Sequence, residues 1–290
     1  MAAAARLRQM LQRPQLQLMP CCYDALSARL VEQAGFPLTF VSGFSVSASR
    51  ALPDTGLLSY GEMLDSMRNV SAAVCIPCIG DGDTGYGNEV NVKRTVRGYA
   101  QAGLAAIMIE DQVSPKRCGH TAVKAVIPFD EAVRRVEAAV DAAKEGGDNI
   151  LILARTDARG KLGLSEGIER CKAFAEVGAH ITFLEAPRSR EEMAAYCDAV
   201  PGPKMANLLA GGLTPVLPPA ELEALGYSLA AYPLDLLNAS IVAMRTTLKG
   251  LRDEGKPPDE LTLPFKELQN VIGFEEYNKE AGRCALDKPS

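Results

Sequence analysis

At 290 residues and 47% hydrophobic, the chain can bury the core of one large domain or two small ones, and its composition excludes a disordered or fibrous protein. Lys and Arg (31) against Asp and Glu (36) give a formal charge of −5 with both signs interspersed, so no basic stripe neutralises phosphates and nucleic acid is excluded as a partner. No run of about 18 apolar residues can cross a bilayer and no apolar signal core opens the chain, which points to a soluble protein of the cytoplasm; Arg6 and Arg8 leave a mature organellar form as the alternative.

A helical pattern begins almost at once, and eight short apolar segments then recur between longer amphipathic ones. In chain order they are "LQLMP" (16–20), "LTFVS" (38–42), "VCIPCIG" (74–80), "AAIMIE" (105–110), "ILILAR" (150–155), "ITFLEA" (181–186), "KMANLL" (204–209) and "SLAAYP" (228–233). The helical patterns between them, such as "YDALSARLVEQAG", "VNVKRTVRGYAQAG" and "DEAVRRVEAAVDAAKEGG", mostly close on Gly, as helix ends do. Eight βα units predict an α/β fold, a (β/α)₈ barrel with its active site at the carboxyl ends of the strands. A doubly wound open sheet is the runner-up, but no G-x-G-x-x-G follows the first strand. From Leu234 to about Leu251 a long helix is expected. The polar breaker "RDEGKPPDE" and a last helical stretch, "FKELQNVIGFEEYNKEAG", come after it. This divides the chain into a catalytic barrel over 1–251 and a linker with a helical tail over 252–290, the tail being a candidate oligomerisation element.

The eight cysteines are scattered, without a secreted disulfide pattern, and read as reduced thiols. "CIPC" (75–78) falls in an expected strand, where residues three apart face opposite ways, and no second C-x-x-C follows. Core packing is the better reading.

A barrel also predicts that reactive polar residues gather just after each apolar run. Ser42-Gly43, Asp81 and Asp83, Glu110-Asp111, Arg155 and Asp157, Glu185 and Asn207 do so on six successive strands. "GDGDTGYGN" (80–88) is acidic and lacks the Lys of a phosphate-binding loop. Its aspartates, with Asp54 and Glu110 on the same rim, supply oxygen ligands suited to Mg²⁺, which binds few carboxylates and keeps several waters. An isolated "DGD" is more often a solvated turn; four acids at one barrel mouth favour the metal. Cys118 lies between Lys116-Arg117 and His120 in "KRCGH", a setting that lowers a thiol's pKa. Nucleophile, general acid and metal ligand are the roles open to it. Zinc lacks a suitable ligand set, and the other histidine, His180, reads as a packed or edge residue, so general acid or base leads. Magnesium and a thiol acid together suit carbon–carbon cleavage of a 2-hydroxy acid.

"VSGFSVSA", "LPDTG", "GDGDTGYGN", "EDQ", "KRCGH", "ARTDA" and "AYPL" together resemble the isocitrate lyase and phosphoenolpyruvate mutase superfamily, from about Leu7 to about Leu248. The resemblance implies a Mg²⁺-dependent barrel, with Mn²⁺ as a substitute ion, that forms a homotetramer by exchanging its C-terminal helix between subunits. It implies that Asp81 binds the ion while Asp54, Asp83 and Glu110 hold its waters. Backbone amides of Ser42, Gly43 and Phe44 would face the oxoacid half of a small carboxylate substrate, with Gly119 beside them. Arg155 would pair with a substrate carboxylate and Glu185 and Asn207 would line the second half. Cys118, on a gating loop, would be the acid, tuned by Lys116 and His120. The thiol points to the lyase branch, of 2-methylisocitrate or 2-alkylmalate type, yielding pyruvate or glyoxylate. A carboxyphosphonoenolpyruvate or phosphoenolpyruvate phosphonomutase, an oxaloacetate hydrolase or decarboxylase, and a non-catalytic barrel are the alternatives. Two departures bear on substrate identity: "CGHTAVK" places Ala122 and Val123 where relatives carry Arg and Gly, stiffening the loop, and "ANLLAGG" has Ala210 where Glu is common.

Overall fold

All eight apolar segments form strands in the computed structural model of the chain, which describes residues 2–117, 125–147 and 149–284. They are β1 (Gln17–Cys22), β2 (Thr39–Val41), β3 (Cys78–Asp81), β4 (Ala106–Glu110), β5 (Leu151–Thr156), β6 (Ile181–Leu184), β7 (Met205–Asn207) and β8 (Leu229–Tyr232). Every pairing is parallel, in the order β6-β5-β4-β3-β2-β1-β8-β7. A parallel bridge between Thr182 and Lys204 brings β6 beside β7. The sheet therefore curls into a nearly closed (β/α)₈ barrel, and the open doubly wound sheet is excluded.

The chain divides at residue 236 into two compact units. The first holds α1 (Ala3–Leu11), α2 (Ala25–Gln33), α3 (Gly43–Ser49), α4 (Tyr60–Ala73), α5 (Glu89–Gln101), α6 (Phe129–Glu145), α7 (Arg159–Leu162), α8 (Leu164–Glu176), α9 (Arg190–Ala199) and α10 (Pro219–Leu225) around the strands. The second begins inside α11 (Asp235–Glu254) and holds α12 (Phe265–Val271) and α13 (Phe274–Cys284). The sequence placed its boundary later, at the breaker after Leu251; α11 runs three residues into that breaker.

Helix starts follow from local chemistry. Asp24 accepts from the Ser27 amide at 2.7 Å while the Ser27 hydroxyl accepts from the Asp24 amide, a capping box that opens α2. Asn88 caps α5 in the same reciprocal way with Asn91. Along the strands, a period of two sends alternate side chains inward. Met19, Phe40, Ile79, Met108, Leu153, Phe183, Met205 and Ala231 fill the barrel interior, and Ala4 and Leu7 of α1 join that cluster. The other parity packs against the helices: Val41, Ile107, Ile109, Ile152 and Ala154 against residues of α4, α5 and α6.

One local expectation is corrected. "VCIPCIG" is not a strand throughout: Val74 ends α4, and pairing starts only at Cys78. Cys78 is buried, but Cys75 lies exposed before the strand, so core packing explains only one of the two thiols. Pro77, which has no N–H to donate, delays the ladder. His180 sits just before β6, at the amino end of the barrel, half-buried, its Nδ1 accepting from the Ile152 amide at 3.1 Å, within the expected reading of a packed or edge residue.

Candidate active site

The same two-residue period that fills the barrel places the polar residues at its mouth. Asp81 continues the inward series from Ile79, Glu110 from Met108, Arg155 from Leu153, Glu185 from Phe183, Asn207 from Met205 and Ser42 from Phe40. All six line one cavity of about 250 Å³, together with Asp54, Lys116, Gln112, Arg117 and Phe44. Its remaining wall is apolar: Phe183, Met205, Leu209, Pro233 and Leu234 among others.

The acids are held firmly. Asp81 Oδ2 accepts from the Gly43 amide and Oδ1 from the Asp83 amide, each at 3.1 Å. The Tyr99 hydroxyl donates to the Asp81 carbonyl at 2.8 Å, and the Tyr86 hydroxyl donates to Asp83 Oδ2 at 3.2 Å. Asp83 takes a left-handed φ of 49°, a conformation that Asp tolerates better than most residues. The loop thereby turns back, so that the Glu110 amide donates to the Asp83 carbonyl at 2.9 Å.

Lys116 lies among these oxygens, 7% exposed, at 2.9 Å from Asp54 Oδ1, 4.0 Å from Asp81 Oδ2 and in contact with Asp83 Oδ1. Burial opposes its charge, but Asp83, Asp81, Asp54 and Glu110 more than offset this and hold its pKa well above the usual lysine value. Burial pushes Asp83 up to about 7 against the pull of Lys116, with Asp81 and Glu110 adding to the rise. Lys116 is a counter-ion within the acid cluster; its expected tuning of Cys118 falls on a residue outside the described ones.

Arg155 is the second cationic centre. Its Nε and Nη2 meet Asp157 Oδ2 and Oδ1 at 2.9 and 2.8 Å, and Nη2 also meets Glu185 Oε2 at 3.0 Å. Glu110 Oε2 lies 3.3 Å from Nε, and the Phe183 ring sits beneath the guanidinium at 5.3 Å. Burial disfavours the charge, and Glu185 and Glu110 restore it beyond its ordinary value.

Among the described residues no group of three or more His, Cys, Asp or Glu forms a finished metal cage. The donor chemistry nevertheless fits a hard divalent cation. The rim offers several carboxylate oxygens, those of Asp81 fixed by the Gly43 and Asp83 amides, the hard donors that Mg²⁺ takes. The cluster already holds the Lys116 ammonium, and carboxylates still outnumber cations around the cavity. An anionic substrate entering there needs further positive charge.

Thus Asp54, Asp81, Asp83, Glu110, Arg155, Glu185 and Asn207 are brought together at one mouth, and Lys116 joins them there. Of the three amides offered to substrate, those of Ser42 and Gly43 are committed to the Cys22 carbonyl and Asp81. Cys118, Gly119 and His120, with Ala122 and Val123, lie outside the described residues. Gln112 and the tyrosines Tyr86 and Tyr99 were missed as site residues, and Asp157, singled out at its strand end, was given no role. The signal for Gln112 was present, since it sits inside the "EDQ" motif already singled out.

A sequence model of the phosphoenolpyruvate phosphomutase family matches residues 7–252. The chain is 38% identical to 2,3-dimethylmalate lyase of Eubacterium barkeri, over 98% of this chain and 100% of that one. It is 36% identical to 2-methylisocitrate lyase of Aeropyrum pernix, over 94% and 88%. Among solved structures, oxaloacetate acetylhydrolase in complex with 3,3-difluorooxalacetate superposes with a TM-score of 0.93 at 34% identity, covering 99% of each chain. Phosphonopyruvate hydrolase in complex with oxalate and Mg²⁺ superposes with a TM-score of 0.87 at 30% identity, covering 98% of this chain and 99% of that one.

Proposed function

The chain belongs to the phosphoenolpyruvate phosphomutase family, and we propose that it is a Mg²⁺-dependent carbon–carbon lyase. Its substrate is a 2-hydroxy di- or tricarboxylate of 2-alkylmalate or 2-methylisocitrate type, split into an oxoacid and a second carboxylate. The observation that carries this reading is the convergence of Asp54, Asp81, Glu110 and Arg155 on one cavity whose other wall is apolar. The acids suit an ion that chelates the oxoacid half; the apolar wall suits an alkyl substituent. Relatives that span nearly the whole chain are lyases of such substrates.

In this reading Asp81, with Asp54, Asp83 and Glu110, would hold the ion and its waters, Mn²⁺ being able to replace Mg²⁺. The bound ion supplies Lewis acidity that stabilises negative charge on the substrate oxygens. Arg155 pairs with a substrate carboxylate through its planar guanidinium. Glu185 and Asn207 orient the second half. The 2-hydroxyl gives its proton to a carboxylate of the rim and becomes a carbonyl as the adjacent carbon–carbon bond breaks, and the bonding electron pair stays on the departing enolate. Cys118 protonates that carbon, with His120 tuning the thiol and Gly119 beside it. Lys116 balances the acid cluster.

The test is oxoacid release from 2-methylisocitrate, isocitrate, 2-alkylmalates and oxaloacetate, read through a coupled NADH assay with Mg²⁺, for wild type and Cys118→Ser. Release of pyruvate or glyoxylate that chelator abolishes, Mg²⁺ restores and Cys118→Ser loses is the expected result. No release from any of them with Mg²⁺ bound defeats the reading in favour of phosphonate chemistry, which does not need the thiol. Hydrolysis of oxaloacetate is the second reading, supported by the likeness to oxaloacetate acetylhydrolase over the full chain; oxalate and acetate as products would establish it.

We also propose that the protein assembles with further copies of itself through residues 237–290, as a homotetramer with exchanged helices. Leu248, Phe265 and Tyr277 are 65%, 73% and 71% exposed, and such an apolar surface calls for a cover. The seven described cysteines are all unpaired, which supports a reducing compartment, the cytoplasm. No helix among the described residues is long and apolar enough to cross a membrane.

A further inference from the structure

The strands that carry Glu110 and Arg155 run in register up to those two residues, which are Cα partners at the last rung of β4 and β5. Above that rung the backbone ladder stops and one side chain takes its place. Asp111 Oδ1 accepts the Asp157 amide at 2.9 Å and Oδ2 accepts the Thr156 hydroxyl at 2.6 Å. Asp111 is itself held from outside the barrel. Arg170, on α8 and 2% exposed, donates Nη1 to Asp111 Oδ2 at 3.0 Å and to the Ile127 carbonyl at 2.9 Å, while its Nε donates to Glu166 at 2.9 Å. Arg135 of α6 donates Nη1 to the carbonyls of Glu110 and Gln112, at 2.9 and 3.0 Å. The Glu110 and Gln112 carbonyls, one on each side of Asp111, are thereby pinned.

Neither Asp111 nor Arg170 lines the cavity. A continuous chain of hydrogen bonds nevertheless runs from Arg170 through Asp111 to the Asp157 amide, and from the Asp157 carboxylate to both Nε and Nη2 of Arg155. A buried ion pair is weak ground for stability, because its desolvation cost rivals its Coulomb gain and an apolar pair of equal volume packs as well. What an apolar pair cannot do is aim the Asp157 amide, and through it the fork of Arg155.

We propose that Arg170 and Asp111 are positioning residues: acting through Asp157, they set the direction of the Arg155 guanidinium and hence the affinity for the substrate carboxylate. The inference rests on the reading of Arg155 as the carboxylate-binding residue. A misplacement of about 1 Å at such a clamp can cost up to ~100-fold in rate.

The experiment compares full-length wild type, Arg170→Met, Arg170→Lys and Thr156→Val, all with saturating Mg²⁺. KM and kcat are measured on a cleaved substrate, the dissociation constants of oxalate and of Mg²⁺ by calorimetry, and the variants' crystal structures are determined. In Arg170→Met, KM and the oxalate dissociation constant should rise about tenfold with the Mg²⁺ constant within twofold. Arg170→Lys should recover most of that loss, since one ammonium still reaches Asp111. Thr156→Val, which keeps the side-chain shape, should show a smaller shift in the same direction and serves if Arg170→Met does not fold. A merely structural pair would lower the melting temperature and leave the KM and oxalate constants unmoved. Constants within twofold of wild type in a folded variant, or an Asp157 carboxylate still paired to both Arg155 nitrogens in its crystal structure, would overturn the proposal. If wild type cleaves none of the panel, the oxalate constants and the variant structures still decide the positioning role, and only the lyase reading falls.

Discussion

Gly43 has to be glycine because of Asp81: a Cβ built there would lie 2.5 Å from Asp81 Oδ2. The same residue gives its amide to that oxygen, so Gly43→Ala forces the carboxylate to turn. Groups that orient a metal ligand are worth about 10–100-fold in metal affinity. Gly43→Ala should therefore weaken Mg²⁺ binding by about that factor, measured by calorimetry, while the melting temperature stays near that of wild type; an unchanged affinity would remove Asp81 from the ligand set. Tyr86→Phe, which deletes the hydroxyl on Asp83 Oδ2, should act in the same direction and less strongly. At this scale Asp81, Asp83, Glu110, Glu185 and Arg155 were legible because strand-end position identifies them, whereas Asp54 lies in a loop beyond α3. Lys116 was not: nothing in "KRCGH" says that its chain turns back into the cluster formed by Asp54, Asp81 and Asp83.

The elements show why the strand count was readable and the strand limits were not. A strand of a buried parallel sheet appears as an apolar run, and each of the eight runs holds a strand, but β3 starts four residues late and β6 stops at Leu184. Ala186 has a φ of 57°, a backbone turn that an apolar run does not announce. Asn88 closes the strained acidic loop by capping α5, accepting from the Val90 and Asn91 amides. Asn88→Ala should cost about 1 kcal/mol in denaturant unfolding. Leu7, fully buried in the barrel-interior cluster, should cost about 2–5 kcal/mol when changed to Ala. Its effect on KM at a temperature well below melting should be nil, because the cavity lies at the opposite end of the strands.

On the scale of the whole molecule, one cavity combines an acidic pole with an apolar wall that includes Phe44, Leu209 and Leu234. Burying one methylene contributes about 0.8 kcal/mol, or about fourfold in kcat/KM. Across a series of 2-alkylmalates, kcat/KM should rise by up to about that factor per added carbon until the wall is full; a flat series would show that the alkyl group stays in water. The proposed assembly makes its own prediction. Sedimentation should give a mass of several chains, and Leu248→Asp with Phe265→Asp should lower it, since each places a charge on an apolar surface.

The sequence by itself determined the barrel, the end of it that carries the chemistry, and the residue types at that end. These follow from local rules: apolar periodicity makes the strands, βα alternation makes them parallel, and inward parity puts Asp81, Glu110, Arg155, Glu185 and Asn207 at the mouth. The tertiary structure alone decided which groups neutralise which. Lys116 with Asp54 and Asp83, Arg155 with Asp157 and Glu185, and Arg170 with Asp111 are pairs 2 to 62 residues apart in the chain. Their choice depends on closing the barrel, because a charge removed from water must find its partner in three dimensions and no sequence periodicity records that requirement.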